Sequence, residues 1–362
     1  MSTIRLPFED VFADESGGNI KTPQSEYLKE GRFPVIDQGK SLIAGYVNDP
    51  TRICGGGRPA IVFGDHTRCV KFADKPFCMG ADGVKVLRPK IEADLKYLYY
   101  YLRHLQLPDA GYDRHFKYLK RTEIVLLSIP EQRRVAAILD KADALRTKSR
   151  EALNQFDYLA QSIFVEMFGH PAENPMNWEI RALKGLGRIS TGGTPPSAQE
   201  GMFGGDVPFI TPGDLESDLP VRRTLTEAGA RIVGTVRPGT ALVCCIGATI
   251  GKMSSASARS AFNQQLNSVE WFEDVIDDAF GLAALRFFKP TIVAWGSATT
   301  LPILKKSSFE KIEIPVPPID MQREFGQRMR YFAALKGKHK EELELLTMLF
   351  DSLQSRAFRG AL

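Results

Sequence analysis

No run of about 18 apolar residues occurs in this chain of 362 residues, so nothing in it reads as a membrane-spanning helix. The opening residues, MSTIRLPFEDVF, lack the apolar stretch of a secretory signal. Cysteine is scarce and odd in number: Cys54, Cys69, Cys78, Cys244 and Cys245, with no CxxC pair. A disulfide framework is therefore not expected, and a reducing cytoplasm fits best. A strong excess of one charge is also missing. The 47 Lys and Arg against 43 Asp and Glu leave +4, and no block of the chain is strongly basic. That balance permits nucleic-acid binding without arguing for it. Walker A, an acidic nuclease constellation and the Asn/Asp-Pro-Pro-Tyr/Phe signature of adenine methylation are all absent. His66 and Cys69, with Cys78 beyond, lack the paired close ligands of a zinc site. Cys244-Cys245 follows Ala-Leu-Val and reads as buried strand, where thiols are inert.

What the chain does have is an internal repeat. Residues 132–168, QRRVAAILDKADALRTKSREALNQFDYLAQSIFVEMF, align without a gap on 322–358, QREFGQRMRYFAALKGKHKEELELLTMLFDSLQSRAF. Gln132-Arg133 matches Gln322-Arg323, Leu153 matches Leu343, Leu159 matches Leu349, and Phe168 matches Phe358. Both segments read as helix. In the first, positions 135, 142, 149, 156 and 163 interleave with 138, 145, 152 and 159 in the 3,4 spacing of a coiled-coil seam. The second carries Phe325, Phe332, Leu335, Leu346, Leu349 and Leu353, with His339, Glu342 and Arg356 intruding. Gly326 and Gly337 each cost this helix roughly 1 kcal/mol relative to Ala. Pro130 and Pro317-Pro318 mark the helix entries, and some 37 helical residues span roughly 55 Å.

A larger mixed segment precedes each helix, and these two segments are loosely related. FPVID at 33–37 pairs with VPFIT at 207–211, and RPAIVFG at 58–64 with GTALVCCIG at 239–247; each is a short apolar run that reads as buried strand. DLKYLYYYLRHL at 94–105 pairs with DDAFGLAALRFF at 277–288, and HFKYLKRTEIVLLSIP at 115–130 with TLPILKKSSFEKIEIPVP at 300–317. The expected organisation is a mixed α/β (α+β) domain over 1–130, a long helix over 131–168, a second mixed domain over 169–319 and a second helix over 320–362. Packing the second helix back antiparallel on the first gives a pseudo-twofold molecule, two domains joined by a coiled-coil rod. Two similar readers on such a spacer suit two DNA half-sites one or two helical turns apart, at about 34 Å per turn. The competing reading is a non-catalytic adaptor with two protein-binding domains on a coiled-coil rod.

These motifs resemble the specificity subunit of type I restriction-modification systems, and the resemblance covers essentially the whole chain. PEQRRVAAILDKADALR at 130–146 looks like that family's central conserved region, and FGHPAENPMNWEIRALKGLGRISTGGTPPS at 168–197 like the entry to a second target recognition domain. FNQQLNSVE at 262–270, GSATTLPILKKSSFEKIEIPVPP at 296–318, FRGAL at 358–362 and FGDHTRCVKF at 63–72 also fit. The resemblance implies a subunit with no catalytic activity and no cofactor of its own. It implies double-stranded DNA as ligand, with two modification subunits that methylate adenine using S-adenosylmethionine. Where a system carries restriction subunits, it implies ATP-driven translocation and cleavage by them.

The candidate DNA-binding residues fall in a few segments. Arg114, Lys117, Lys120 and Arg121 interleave cations with His115, Phe116 and Tyr118, which suits phosphate contact or a solvated surface helix. Lys305 and Lys306 hold the related place in the second half. His66 and Thr67 sit on the FGDHT turn at 63–67, able to meet a base edge, or the turn is one in which Asp65 bonds its own backbone. The loop Thr191-Gly192-Gly193-Thr194-Pro195-Pro196 lets backbone approach a ligand or serves as a structural turn. Gly247 to Lys252 is glycine-punctuated and ends in a cation, which fits a phosphate contact or a hairpin. Gln264 and Gln265, after Asn263, offer amides that pair bidentately with adenine or satisfy buried backbone.

Overall fold

The computed structural model describes residues 3–80, 83–108, 111, 113–196, 198–217, 219–296, 302–359 and 362. The chain forms two compact units, Met1–Arg150 with Glu341–Leu362, and Glu151–Lys340. Parts of the motifs quoted above, at 197, 297–301 and 360–361, lie outside the described residues. No helix among the described residues is long and apolar enough to cross a membrane.

In chain order the first unit holds β1 (Ile4–Pro7), α1 (Phe8–Val11), β2 (Phe12–Asp14), β3 (Lys21–Thr22), β4 (Phe33–Ile36), β5 (Gly45–Val47), β6 (Ala60–Gly64), β7 (Val70–Ala73), β8 (Cys78–Gly80), β9 (Val84–Pro89), α2 (Leu95–His104), α3 (Phe116–Leu119), β10 (Glu123–Leu126) and the first part of α4 (Ile129–Phe168). The apolar run AIVFG of β6 is buried throughout, and it lies inside an antiparallel sheet ordered β2-β9-β6-β7. A second sheet, β3-β8-β4-β5, has β8 parallel to both its neighbours. α2 begins where the Asp94 carboxylate accepts the Tyr97 N–H at 2.9 Å, and it buries Tyr97, Leu98, Tyr100, Tyr101 and Leu102.

The second unit holds β11 (Glu179–Ala182), β12 (Gly187–Thr191), β13 (Phe203–Ile210), β14 (Thr224–Leu225), α5 (Glu227–Val233), β15 (Ala241–Cys244), β16 (Met253–Ser255), β17 (Ala261–Phe262), β18 (Leu266–Trp271), α6 (Asp278–Phe287), α7 (Lys289–Gly296), α8 (Lys306–Phe309), β19 (Glu313–Val316) and the first part of α9 (Ile319–Phe358). Its main sheet runs β12-β18-β15-β16, the same topological plan as β2-β9-β6-β7. β13 pairs parallel with β17 as β4 does with β8, and β11 pairs antiparallel with β19 as β1 does with β10.

The matched glutamines explain how each mixed segment hands over to its helix. Gln132 accepts the Asp94 N–H at 2.8 Å and donates to the Leu127 carbonyl at 2.8 Å. Gln322 accepts the Asp277 N–H at 3.0 Å and donates to the Pro317 carbonyl at 2.7 Å. Each glutamine thus ties the start of a long helix to the N-cap of the shorter one before it. Gly326 has a related purpose: a Cβ there would fall 2.6 Å from the Asp277 carboxylate, so the helix approaches closely only without one.

The seam of α4 differs from the sequence expectation in one column. Val135, Ala142 and Ser149 are buried as expected, but the second column runs through Leu139 and Arg146, while Leu145 is 54% exposed and Leu159 45% exposed. Arg146 fits the buried column because its guanidinium lies 4.1 Å over the Phe350 ring and pairs with Asp143. In the same unit Gln354 donates to the Tyr100 carbonyl at 3.1 Å, and Phe358 packs edge-on against Tyr97 and Tyr101. Residues from the far end of the chain therefore complete the first core. In the second unit Phe156 meets Phe332 and His339, while Phe164 and Phe168 meet Phe325. Rising numbers on α4 match falling numbers on α9 within this unit.

Candidate nucleic-acid interface

β6 ends in a tight turn at 64–68, closed where the Arg68 N–H donates to the Gly64 carbonyl at 2.8 Å. Arg68 takes the left-handed conformation, φ 60°. Asp65 is buried in this turn, and it bonds across to the segment at 115–116. Its carboxylate accepts the Phe116 N–H at 2.8 Å, and its carbonyl accepts the His115 N–H at 2.8 Å. The turn with His66 and Thr67 is thereby fixed against α3, whose flanks carry the cationic candidates. His66 is half-buried, and its N–H donates to the Gln38 side chain at 3.2 Å. The Thr67 hydroxyl donates to the Gln38 carbonyl.

The four cations of this segment are not equivalent. Lys117 pairs with Asp113 at 2.6 Å, and Lys120 with Glu9 at 2.9 Å. The Lys117 ammonium, donating to Asp113, holds that carboxyl down at about 2. Lys120 likewise lowers Glu9, and both lysines are raised by their carboxylate partners. Arg114 and Arg121 are exposed and make no ion pair among the described residues. Charge available to a phosphate therefore concentrates on the two arginines.

The second unit gathers its candidates around the turn between β15 and β16. Cys245 N–H donates to the Gln265 carbonyl at 2.8 Å, and Leu304 N–H to the Cys245 carbonyl at 2.8 Å. Asp65 makes the same relay in the first unit, donating to Gly83 at 2.7 Å and accepting from His115. Gly247 N–H also reaches the Pro302 carbonyl at 2.9 Å, so Lys305 and Lys306 follow directly from the anchored strand end. Lys305 is exposed and makes no ion pair among the described residues, whereas Lys306 pairs with Glu310 at 3.5 Å. Lys252 is half-buried at the close of the turn, its N–H on the Thr249 carbonyl at 3.1 Å. On the other side, Gly193 N–H donates to the Phe262 carbonyl at 3.0 Å, and the Thr194 hydroxyl to the exposed Gln264 at 2.6 Å. Gly192 passes so close that a Cβ would lie 2.3 Å from the carbonyl oxygens of Phe262 and Asn263. Gln265 is tied to Asn263, which donates to its side-chain oxygen at 3.0 Å and accepts its N–H at 3.2 Å. Cys244 and Cys245 are buried, and burial pushes the Cys245 thiol up to about 12, out of reach of nucleophilic use.

Comparison with known proteins gives these two clusters a context. The family profile of the type I restriction modification DNA specificity domain matches residues 175–345. The EcoR124I/EcoR124II specificity subunit of Escherichia coli is 24% identical over 374 aligned positions, covering 93% of this chain and 88% of that protein. The chain is similar to type I restriction-modification specificity subunits over most of its length. The HindI specificity subunit of Haemophilus influenzae is 30% identical over 199 residues, 51% of this chain and 42% of that one. The crystal structure of the S subunit from M. genitalium shares the fold over 98% of this chain and 96% of its own, with a TM-score of 0.63 at 17% identity.

In the first unit, sequence reasoning missed Asp65 and Gln38 as the residues that hold the turn in place. It also missed the neutralisation of two lysines. Asp113 stands four residues before Lys117, a helical ion-pair spacing legible in advance. Glu9 lies over a hundred residues from Lys120, and no local pattern announces that pair.

Proposed function

We propose that the chain reads a two-part duplex DNA sequence, one part with each unit, and holds two adenine-methylating modification subunits on it. The observation that carries this reading is the repeated site plan. In each unit the end of an internal strand accepts a backbone hydrogen bond from the residue at or next to the entry of a short helix, and exposed cations without ion pairs flank that entry: Arg114 and Arg121 in one, Lys305 in the other. Backbone cations supply affinity and register, while Thr67, His66 and Gln264 stand where side chains could meet base edges. Lys252 and Gln265 belong to the same surface. Lys117, Lys120 and Lys306, already paired, contribute less. The specificity subunit itself supplies recognition, not catalysis. Two long helices between two readers, packed as an antiparallel coiled coil, would set the separation of the half-sites.

Modification subunits need a surface of their own. Tyr158 and Leu159 on α4 are 74% and 45% exposed, and Met348 and Leu349 at the matching positions on α9 are 67% and 50% exposed. Two equivalent apolar pairs fit two copies of one partner, and restriction subunits would join through them. The test is methylation mapping of DNA from cells expressing the chain with its modification subunit. A bipartite adenine-methylated motif is expected. Methylation of a single uninterrupted motif would refute the two-reader arrangement, and loss of co-purification in Tyr158→Ala/Met348→Ala would locate the docking surface.

A further inference from the structure

The loop between β4 and β5, residues 37–44, reads DQGKSLIA, and its base is held from several directions. The Gln38 side-chain oxygen accepts the His66 N–H at 3.2 Å, and the Gln38 carbonyl accepts the Thr67 hydroxyl. Lys71, only 5% exposed, donates to the Asp37 carbonyl at 2.8 Å, and the Asp37 carboxylate accepts the Gly39 N–H at 2.8 Å. Gly64 and Gly83 pack so closely on Gln38 that a Cβ would fall 2.9 Å from its carbonyl oxygen and 2.6 Å from its side-chain oxygen, respectively. On this fixed base Leu42 and Ile43 point outward, 53% and 39% exposed, beside exposed Lys40.

We infer that Leu42 and Ile43 form an aliphatic reader of thymine methyl groups in the major groove, with Lys40 on an adjoining phosphate. The inference rests on reading this unit as a DNA reader and adds a contact chemistry to it. Three observations support it. The same residue, Gln38, positions both the loop and the turn of His66 and Thr67, so the tip continues the surface already assigned to DNA. The cations around that surface, Lys40, Arg114 and Arg121, give it the charge a duplex requires. Branched aliphatic side chains exposed to water on a loop with an anchored base suit the one apolar group that the major groove presents. In the second unit the stretch directly after Ile210, residues 211–217, presents no exposed aliphatic side chain among the described residues, and the exposed Leu219 lies beyond it. That stretch reads TPGDLES, Leu215 is buried, and Glu216 is bound to Lys289 at 3.0 Å and to the Met253 N–H at 3.2 Å. The effect of changing Leu42 and Ile43 should fall on the half of the target read by the first unit.

The experiment uses the assembled complex of this chain with its modification subunit, and duplexes in which single thymines of the target are replaced by deoxyuridine. Replacing a thymine next to the tip should weaken binding by about fourfold, the worth of one buried methyl. Leu42→Ala/Ile43→Ala should weaken binding to the thymine duplex by about tenfold and abolish the response to deoxyuridine, with the salt dependence unchanged. Leu42→Met/Ile43→Val should retain both. A half-site without an A·T pair, or deoxyuridine effects that simply add to those of the double variant, would overturn the inference. So would impaired assembly with the modification subunit in the absence of DNA, which would mark the tip as a protein contact. Arg114→Ala/Arg121→Ala separates the two levels. If it weakens binding while the tip variants do not, the tip inference fails and the DNA-reading surface stands. If neither has any effect, the surface assignment fails and the inference with it.

Discussion

The Asp65 carboxylate accepts the Phe116 N–H at 2.8 Å from fifty-one residues away, and this bond joins a turn of base-edge candidates to a helix of phosphate candidates. Removing it leaves a buried backbone donor without its acceptor. Asp65→Ala should destabilise the first unit by about 1–3 kcal/mol and weaken specific DNA binding more than non-specific binding. Asp65→Asn, which keeps an acceptor oxygen, should lose less of both. Urea unfolding and competition binding at one salt concentration measure the two effects, and equal losses in the two variants would show that the bond does not position the surface.

The unequal cations make a second, opposing pair of outcomes. Arg114→Ala/Arg121→Ala should flatten the salt dependence of binding by about 0.9 per lost phosphate contact. Asp113→Asn frees the Lys117 ammonium, so it should raise affinity and steepen that dependence, while Lys117→Ala alone changes little. The pH behaviour follows from the sign of the shift. The Asp113 carboxyl is depressed to about 2, so its pairing is fully present above its unfolded pKa of roughly 3.9 and is lost as pH falls through about 2. Between pH 5 and 8 the pair should stay closed, and the salt dependence contributed by Lys117 should not vary. A Lys117 contribution that grows within that window would contradict the assignment.

Much of the plan was legible because repeats copy whole arrangements. The matched Gln132 and Gln322 make the same hydrogen bonds in both units, and the paired apolar runs became β6 and β15, each internal to its sheet. The seam of α4 was less legible, since the eye follows leucines. Leu145 faces solvent, and Arg146 enters the buried column because Phe350, two hundred residues later, offers its ring to the guanidinium. Ion pairs such as Lys120 with Glu9 are likewise products of tertiary closeness. Candidate cations were recognised by type, but their availability was decided by neighbours that no local pattern reveals.

Gly192 gives a test confined to the second unit. With a Cβ only 2.3 Å from two backbone oxygens, Gly192→Ala must displace either the 191–196 loop or the 262–265 segment. Methylation directed by the half-site of this unit should fall by tenfold or more, on the scale of a few kcal/mol of backbone strain. Non-specific affinity and the first half-site preference should persist. A variant with full activity would mean that the loop has room to move and does not shape the surface.

The completion of the first unit by the end of the chain bears on how recognition can be re-engineered. Phe350 is buried between the guanidinium of Arg146 and the ring of Tyr100, so Phe350→Ala should cost about 3–5 kcal/mol. Ending the chain at Lys340 would remove Phe350, Gln354 and Phe358 together and expose the core around Tyr97, Tyr100 and Tyr101. Exchanging residues 1–130 for the matching segment of a type I specificity subunit must therefore meet a condition beyond a matching DNA surface. The incoming α2 has to present aromatic side chains at the positions of Tyr97, Tyr100 and Tyr101 to the retained C-terminal residues. A chimera that does so should fold, keep the methylation pattern of the second half-site and acquire a new first half-site. A chimera with Ala at those three positions should lose stability before it loses specificity. Methylation mapping together with thermal unfolding decides the matter: both half-sites changing at once in a stable chimera would refute independent reading by the two units.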